Sequence, residues 1–161
     1  VVKFLLTGNL SEMLLIVGGA IFGLPAPLLP IQILWINFVT DGPPALALGF
    51  DSASANLMQT PPQKKLAFLN KDSILFIIFG GGAISAICLI VFYITYITAG
   101  LQTSRAITFT LMVFLQMMLP FIMRRHHTVL SNKRLFVSVA IIILIQLLIL
   151  TYPPLRSLFK I

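Results

Sequence analysis

The chain has 161 residues, 58% of them hydrophobic and only 9% charged, with a mean hydropathy of +1.04 and a formal net charge of +7. A soluble domain carries about 25% charged residues, so the composition excludes a soluble globular fold and points to a membrane-embedded one. On a soluble protein the basic excess would suggest nucleic acid. Here Lys and Arg lie between apolar runs, where the lipid bilayer's anionic head groups are the expected partner and nucleic acid is not. The single Cys88 sits in an apolar run, which excludes a disulfide framework and a Cys-based metal site.

About 20 mostly apolar residues span the hydrocarbon core of a bilayer, and five segments reach that length: 1–23, 30–50, 73–98, 106–123 and 135–152. The expected fold is all-α, a polytopic transmembrane bundle of about five spans. The first span carries Lys3, Asn9 and Glu12, and because the chain starts on Val1 with a polar-interrupted first run, no cleavable signal peptide is visible. The chain therefore reads as part of something longer. LPAPLL at 24–29 is too short and too proline-rich for anything but a tight turn, which makes the first two spans antiparallel neighbours.

The polar loop 51–72 holds Pro61-Pro62, Lys64, Lys65 and Lys71, and the loop 124–134 holds Arg124, Arg125, His126, His127, Lys133 and Arg134. Both are expected on the cytoplasmic side, leaving only Arg105, Arg156 and Lys160 opposite. The two histidines belong to this basic interfacial loop and are not expected to bind metal. In the third span, Gly80, Gly81, Gly82, Ala83, Ser85 and Ala86 form a small-residue run expected to pack against the first span through Gly8, Gly18 and Gly19.

The stretch ILWINFVTDGPPALALGF at 33–50 carries the chemistry. It puts Asn37, Thr40 and Asp41 at helical spacing inside an apolar run, and an ionisable group at membrane depth is a functional candidate by its cost alone. Asn9 and Glu12 are three apart on the first span and are expected to share a face. At about 1.5 Å per residue the two clusters reach the same depth. Asn9, Glu12, Asn37, Thr40 and Asp41 would then form an all-oxygen set for a hard divalent cation such as Ca²⁺ or Mg²⁺, with Gln116 as a further amide oxygen or an interhelical hydrogen bond. Gly42-Pro43-Pro44 breaks the helix beside them. No phosphate-binding loop, nucleophile elbow or zinc-protease motif occurs, so no catalytic residue is assigned.

LLTGNLSE followed by GLPAPLLPIQILWINFVTDGPPALALGFD resembles the fifth and sixth transmembrane helices of P-type cation ATPases, most closely the calcium-pump branch, in which an N..E pair and an N..TD motif recur in this order. AITFTLMVFLQMM resembles the eighth helix and YPPLRSLF the end of the ninth. The resemblance implies the cation-translocating part of an ATP-driven pump, with Asn9, Glu12, Asn37, Thr40 and Asp41 as ligands and Ca²⁺, or alternatively Mn²⁺, as transported ion. The family often has an acid where this chain has Gln116, which bears on a second calcium site. The resemblance also implies partners: actuator, phosphorylation and nucleotide-binding domains, the first four helices and a tenth. ATP and Mg²⁺ would act only in those domains, so the chain alone should not hydrolyse ATP. The loop 51–72 would contact the phosphorylation domain through Lys64 and Lys65. The expected location is the cell membrane. A pump for H⁺ or Na⁺/K⁺ and a non-ATPase helical transporter or scaffold are the alternatives.

Overall fold

The computed structural model describes residues 1–49, 70–123 and 133–161, with backbone alone at 133–134. Every regular element among them is helical: α1 (Val2–Ile21), α2 (Pro30–Trp35), a π-helical turn (Ile36–Thr40), α3 (Gly42–Gly49), α4 (Lys71–Ala99), α5 (Leu101–Met123), α6 (Lys133–Thr151) and α7 (Pro153–Phe159). Three of these, α1, α4 and α5, are long and apolar enough to cross a membrane, and α6 with α7 adds a fourth if the bent pair is counted as one span. The protein is an integral membrane protein. The basic residues expected in the two cytoplasmic loops, Lys71 and the backbone of 133–134 apart, lie outside the described residues.

The buried stripe of α1 is Phe4, Thr7, Gly8, Ser11, Glu12, Leu15 and Gly19, a three- and four-residue spacing that marks one helix face. Large apolar side chains such as Ile21, Phe22, Phe38 and Phe79 are exposed instead. Lipid is as apolar as leucine, so burying large apolar groups between helices gains little there, while small residues allow close backbone approach. Gly80 and Gly81 of α4 lie against Thr7 and Leu10 of α1, where an added Cβ at Gly81 would come within 3.2 Å of the Thr7 carbonyl oxygen. Gly18 lies against Leu89, so the expected contact of the first and third spans is present. Three expected members are absent from it. Ala83 and Ala86 are exposed, and nothing lies within 4 Å of a Cβ on Gly82. Gly8 and Gly19 face other partners, Asp41 with Gln116 and Pro27 respectively.

The fourth span starts earlier than expected, because Gly100 alone separates α4 from α5. Its φ of +84° lies in the region that favours glycine, which lets the chain reverse in one residue. At the other end of α4, Asn70 caps the helix by accepting the Lys71 amide at 2.8 Å, and Asp72 adds a favourable acid to the first turn.

The second span is not the continuous helix expected over 30–50. Pro43 and Pro44 have no N–H to offer the carbonyls of Val39 and Thr40, so regular helix cannot run through them. The backbone widens beforehand: Asp41 N–H donates to Ile36 O at 3.0 Å, a five-residue π bond, and α3 restarts with Ala45 N–H on Asp41 O at 3.1 Å. The break thus falls on Asn37, Thr40 and Asp41 themselves.

Pro153-Pro154 after the extended Tyr152 turns the chain by 93° between α6 and α7. The end of α7 returns to the bundle. Phe159 is buried edge-on to Trp35 at 5.4 Å and stacked on Phe109 at 5.8 Å, and its carbonyl accepts from Gln32 Nε2 at 3.2 Å. Arg105 Nε donates to Ala26 O at 2.9 Å, placing the 24–29 turn on the same side as the start of α5.

Replacing Gly81 with alanine should destabilise the protein by about 1–3 kcal/mol, since the new methyl meets backbone that cannot yield, whereas Gly82→Ala should be neutral or stabilising through helix propensity. Thermal unfolding in detergent separates the two. By the same measurement Phe159→Ala should lower the unfolding midpoint far more than Leu158→Ala, because Phe159 is 4% and Leu158 55% exposed.

Candidate functional site

Glu12 is buried on α1, and each of its carboxylate oxygens accepts a hydrogen bond from a different part of the chain. Asn37 Nδ2, in the π turn, donates to Oε2 at 2.8 Å, and Gln116 Nε2, on α5, donates to Oε1 at 3.0 Å. Asn37 Nδ2 also donates to Ile33 O at 3.0 Å, inside its own helix. Gln116 Nε2 further approaches Gly8 O at 3.4 Å and Ser11 Oγ at 3.5 Å. Of the two polar clusters expected at one depth, Glu12 and Asn37 do meet, and Gln116 joins them.

Asp41 stands beside this knot in a different condition. It is 1% exposed, and neither carboxylate oxygen has a hydrogen-bond partner. Thr40 Oγ1 and Gln116 Oε1 are likewise buried without partners. Four oxygens thus sit in protein interior with their lone pairs unmet, a condition that buried polar groups rarely keep. Trp35 Nε1, Thr108 Oγ1 and Gln146 Oε1 are also buried and unpartnered. The first of these is a donor and can contribute nothing to a cation.

Not every expected ligand is brought in. Asn9 is exposed on α1 and lines a groove with Leu6, Leu10, Met13, Ile74, Ile77 and Ile78, on the α4 side. A three-residue step from Glu12 turns the helix by about 60°, enough to leave the buried stripe. Gly8 and Ser11, which the sequence reading did not place here, take that position instead. Their signal was present in the small residues Thr7, Gly8, Ser11 and Gly19, which trace the inward stripe of α1. Met112, one turn before Gln116 on α5, receives Ser11 Oγ at 4.0 Å and Cys88 Sγ at 3.7 Å and so closes the junction of α1, α4 and α5.

Among the described residues no three His, Cys, Asp or Glu side chains come together. A cation here would be held by two carboxylates supplemented with neutral oxygens, a donor set for hard ions such as Ca²⁺, Mg²⁺ or Mn²⁺ and poorly matched to soft ones.

The chain is 34% identical over 98% of its length to a protein of Bacillus subtilis (strain 168) named calcium-transporting ATPase, of which it covers 19%. It is 30% identical, again over 98% of its length, to calcium-transporting ATPase 1 of Bacillus cereus, covering 20% of that protein. A 63-residue stretch, 39% of the chain, is 43% identical to the endoplasmic reticulum-type calcium-transporting ATPase 2 of Arabidopsis thaliana and covers 6% of it. The chain therefore spans about a fifth of the length of the bacterial relatives it matches. Residues 25–161 match the family model described as cation transporting ATPase, C-terminus. The chain belongs to the cation-transporting ATPase family, as its C-terminal membrane region.

Proposed function

We propose that this chain is the cation-binding and translocating part of an ATP-driven pump whose transported ion is Ca²⁺. The observation that carries the reading is Asp41, a carboxylate 1% exposed with both oxygens unpartnered, while Thr40 Oγ1 and Gln116 Oε1 are buried and unpartnered as well. Leaving a carboxylate buried and unpaired is expensive, and a cation relieves that cost directly. The names of the bacterial relatives favour calcium among the hard cations.

In this reading Glu12, Thr40, Asp41 and Gln116 supply oxygens, and Asn37 orients Glu12 through its 2.8 Å bond. Binding exchanges the amide N–H groups that satisfy Glu12 for the cation. The π turn is the movable part, because its five-residue bonds and the two prolines after it leave few backbone hydrogen bonds to break. A rotation there would swing Thr40 and Asp41 relative to α1 and α5, which alternating access requires. The second span then crosses the bilayer as a broken helix, and with α6 it completes a five-span topology. Phosphorylation by ATP with Mg²⁺ would take place in actuator, phosphorylation and nucleotide-binding domains beyond this chain, in a pump of the cell membrane, with 51–72 as the contact to them.

The full-length protein carrying this chain, purified in detergent, should melt at a higher temperature in Ca²⁺, by mass action that reaches about 2.7 kcal/mol at a hundred times Kd. Asp41→Asn should lose that rise, yet melt no lower than wild type without Ca²⁺, since it removes an unpaired buried charge. Glu12→Gln should weaken Ca²⁺ binding at least about 100-fold, a loss of roughly 2.7 kcal/mol. Calcium titration of the three proteins checks this. Undiminished binding in both variants would make the polar layer a structural network.

Thr40→Val, which keeps the shape and deletes the orphaned hydroxyl, should leave stability unchanged or raised and reduce Ca²⁺ affinity by about 3- to 10-fold. A drop in stability with unchanged affinity would show the hydroxyl to be serving the fold.

A further inference from the structure

We propose that Gly8 sets the size of the cation this site accepts, an inference that rests on the cation-binding reading above. Gly8 is buried on α1, one turn before Glu12, and its carbonyl accepts from Ser11 Oγ at 2.7 Å and Gln116 Nε2 at 3.4 Å, so its backbone forms a wall of the site. A Cβ built there would stand 3.4 Å from Asp41 Oδ2, 3.7 Å from Oδ1 and 3.5 Å from Gln116 Nε2. The three atoms nearest to it are thus polar atoms of Asp41 and Gln116. At Gly18, Gly19, Gly80 and Gly81 the nearest atoms belong to a packed helix or turn, and close approach of backbones accounts for those glycines. At Gly8 it does not.

The separations around a Gly8 methyl are ordinary van der Waals contacts, so the protein itself would accommodate it. Alanine is also the better helix former. The conflict arises only with a ligand. Ca²⁺ on Asp41 lies about 2.3–2.6 Å from oxygen and gathers six to eight oxygens around it, which requires room between Asp41 and Gln116. A methyl 3.4 Å from Oδ2 stands in that room. A smaller cation with shorter bonds and fewer ligands, such as Mn²⁺, is less obstructed.

The test is equilibrium binding of Ca²⁺ and of Mn²⁺ to the full-length protein in detergent, for wild type, Gly8→Ala and Gly8→Ser, with thermal unfolding measured without cation. Gly8→Ala should lose about 10-fold or more in Ca²⁺ affinity and under about 3-fold in Mn²⁺ affinity, with no loss of unfolding temperature. Gly8→Ser, whose added oxygen can itself ligate, should recover part of the Ca²⁺ loss. An unchanged ratio of Ca²⁺ to Mn²⁺ affinity in Gly8→Ala, whether both persist or both fall, overturns the inference while leaving the site in place. Absence of binding of either ion in wild type removes the cation-binding reading and this inference with it. A Gly8→Ala protein that unfolds at a lower temperature also overturns it, because the glycine would then serve helix packing.

Discussion

Glu12 is the point at which three separated parts of the chain are tied together. Its two oxygens take one amide from the π turn and one from α5, residues 25 and 104 positions away in sequence. In water such bonds would exchange with solvent and contribute little. In the interior of a helical bundle the alternative to each bond is a buried polar group left unmet, so the knot defines how α1, the broken second span and α5 sit relative to one another. The α1 backbone takes part as well, since Gln116 Nε2 also approaches the Gly8 carbonyl and Ser11 Oγ on its way to Glu12.

The contrast between Glu12 and Asp41 is the feature on which the proposed function rests. Both are buried carboxylates on the same polar layer, and they differ in what surrounds them. Each Glu12 oxygen accepts from an amide donor, while neither Asp41 oxygen has a hydrogen-bond partner. A layer designed only to hold helices together would satisfy both. Leaving one unmet stores unfavourable free energy at the place where a cation would release it, as functional sites often do at the expense of stability. The π turn belongs to the same arrangement. It breaks the ladder next to Asp41, where Pro43 and Pro44 deny it repair.

Much of the bundle was legible from the chain because lipid imposes a length rule. Runs of about 20 apolar residues have one use in a bilayer, and α1, α4 and α5 follow from it directly. The meeting of Glu12 with Asn37 followed from the short 24–29 turn and the rise per residue. What the pattern did not reveal was which way each helix faces. In an apolar-all-round helix hydrophobicity has no preferred side, so Asn9 and Glu12 looked equivalent at a three-residue spacing. Only the small-residue stripe distinguishes them, and it puts Asn9 on the groove beside α4. The 93° turn into α7 was written in Pro153-Pro154, yet the return of Phe159 to Trp35 and Phe109 depends on contacts across more than a hundred residues of chain.

That return has a consequence for how the site is held. Gln32, at the start of the broken span, donates to the Phe159 carbonyl through Nε2 and accepts the Leu29 amide through Oε1, so both ends of its side chain are engaged. Trp35, the last residue of α2, rests on the Phe159 ring. The segment before the π turn is therefore clamped to α5 through α7, and Asn37 lies two residues beyond the clamp. With α2 held and α3 packed against α6, displacement of the second span concentrates in the turn between them, where Thr40 and Asp41 are carried. A broken helix anchored on both sides of its break can move its polar residues without moving its ends, which is the displacement that the proposed translocation of a cation would require.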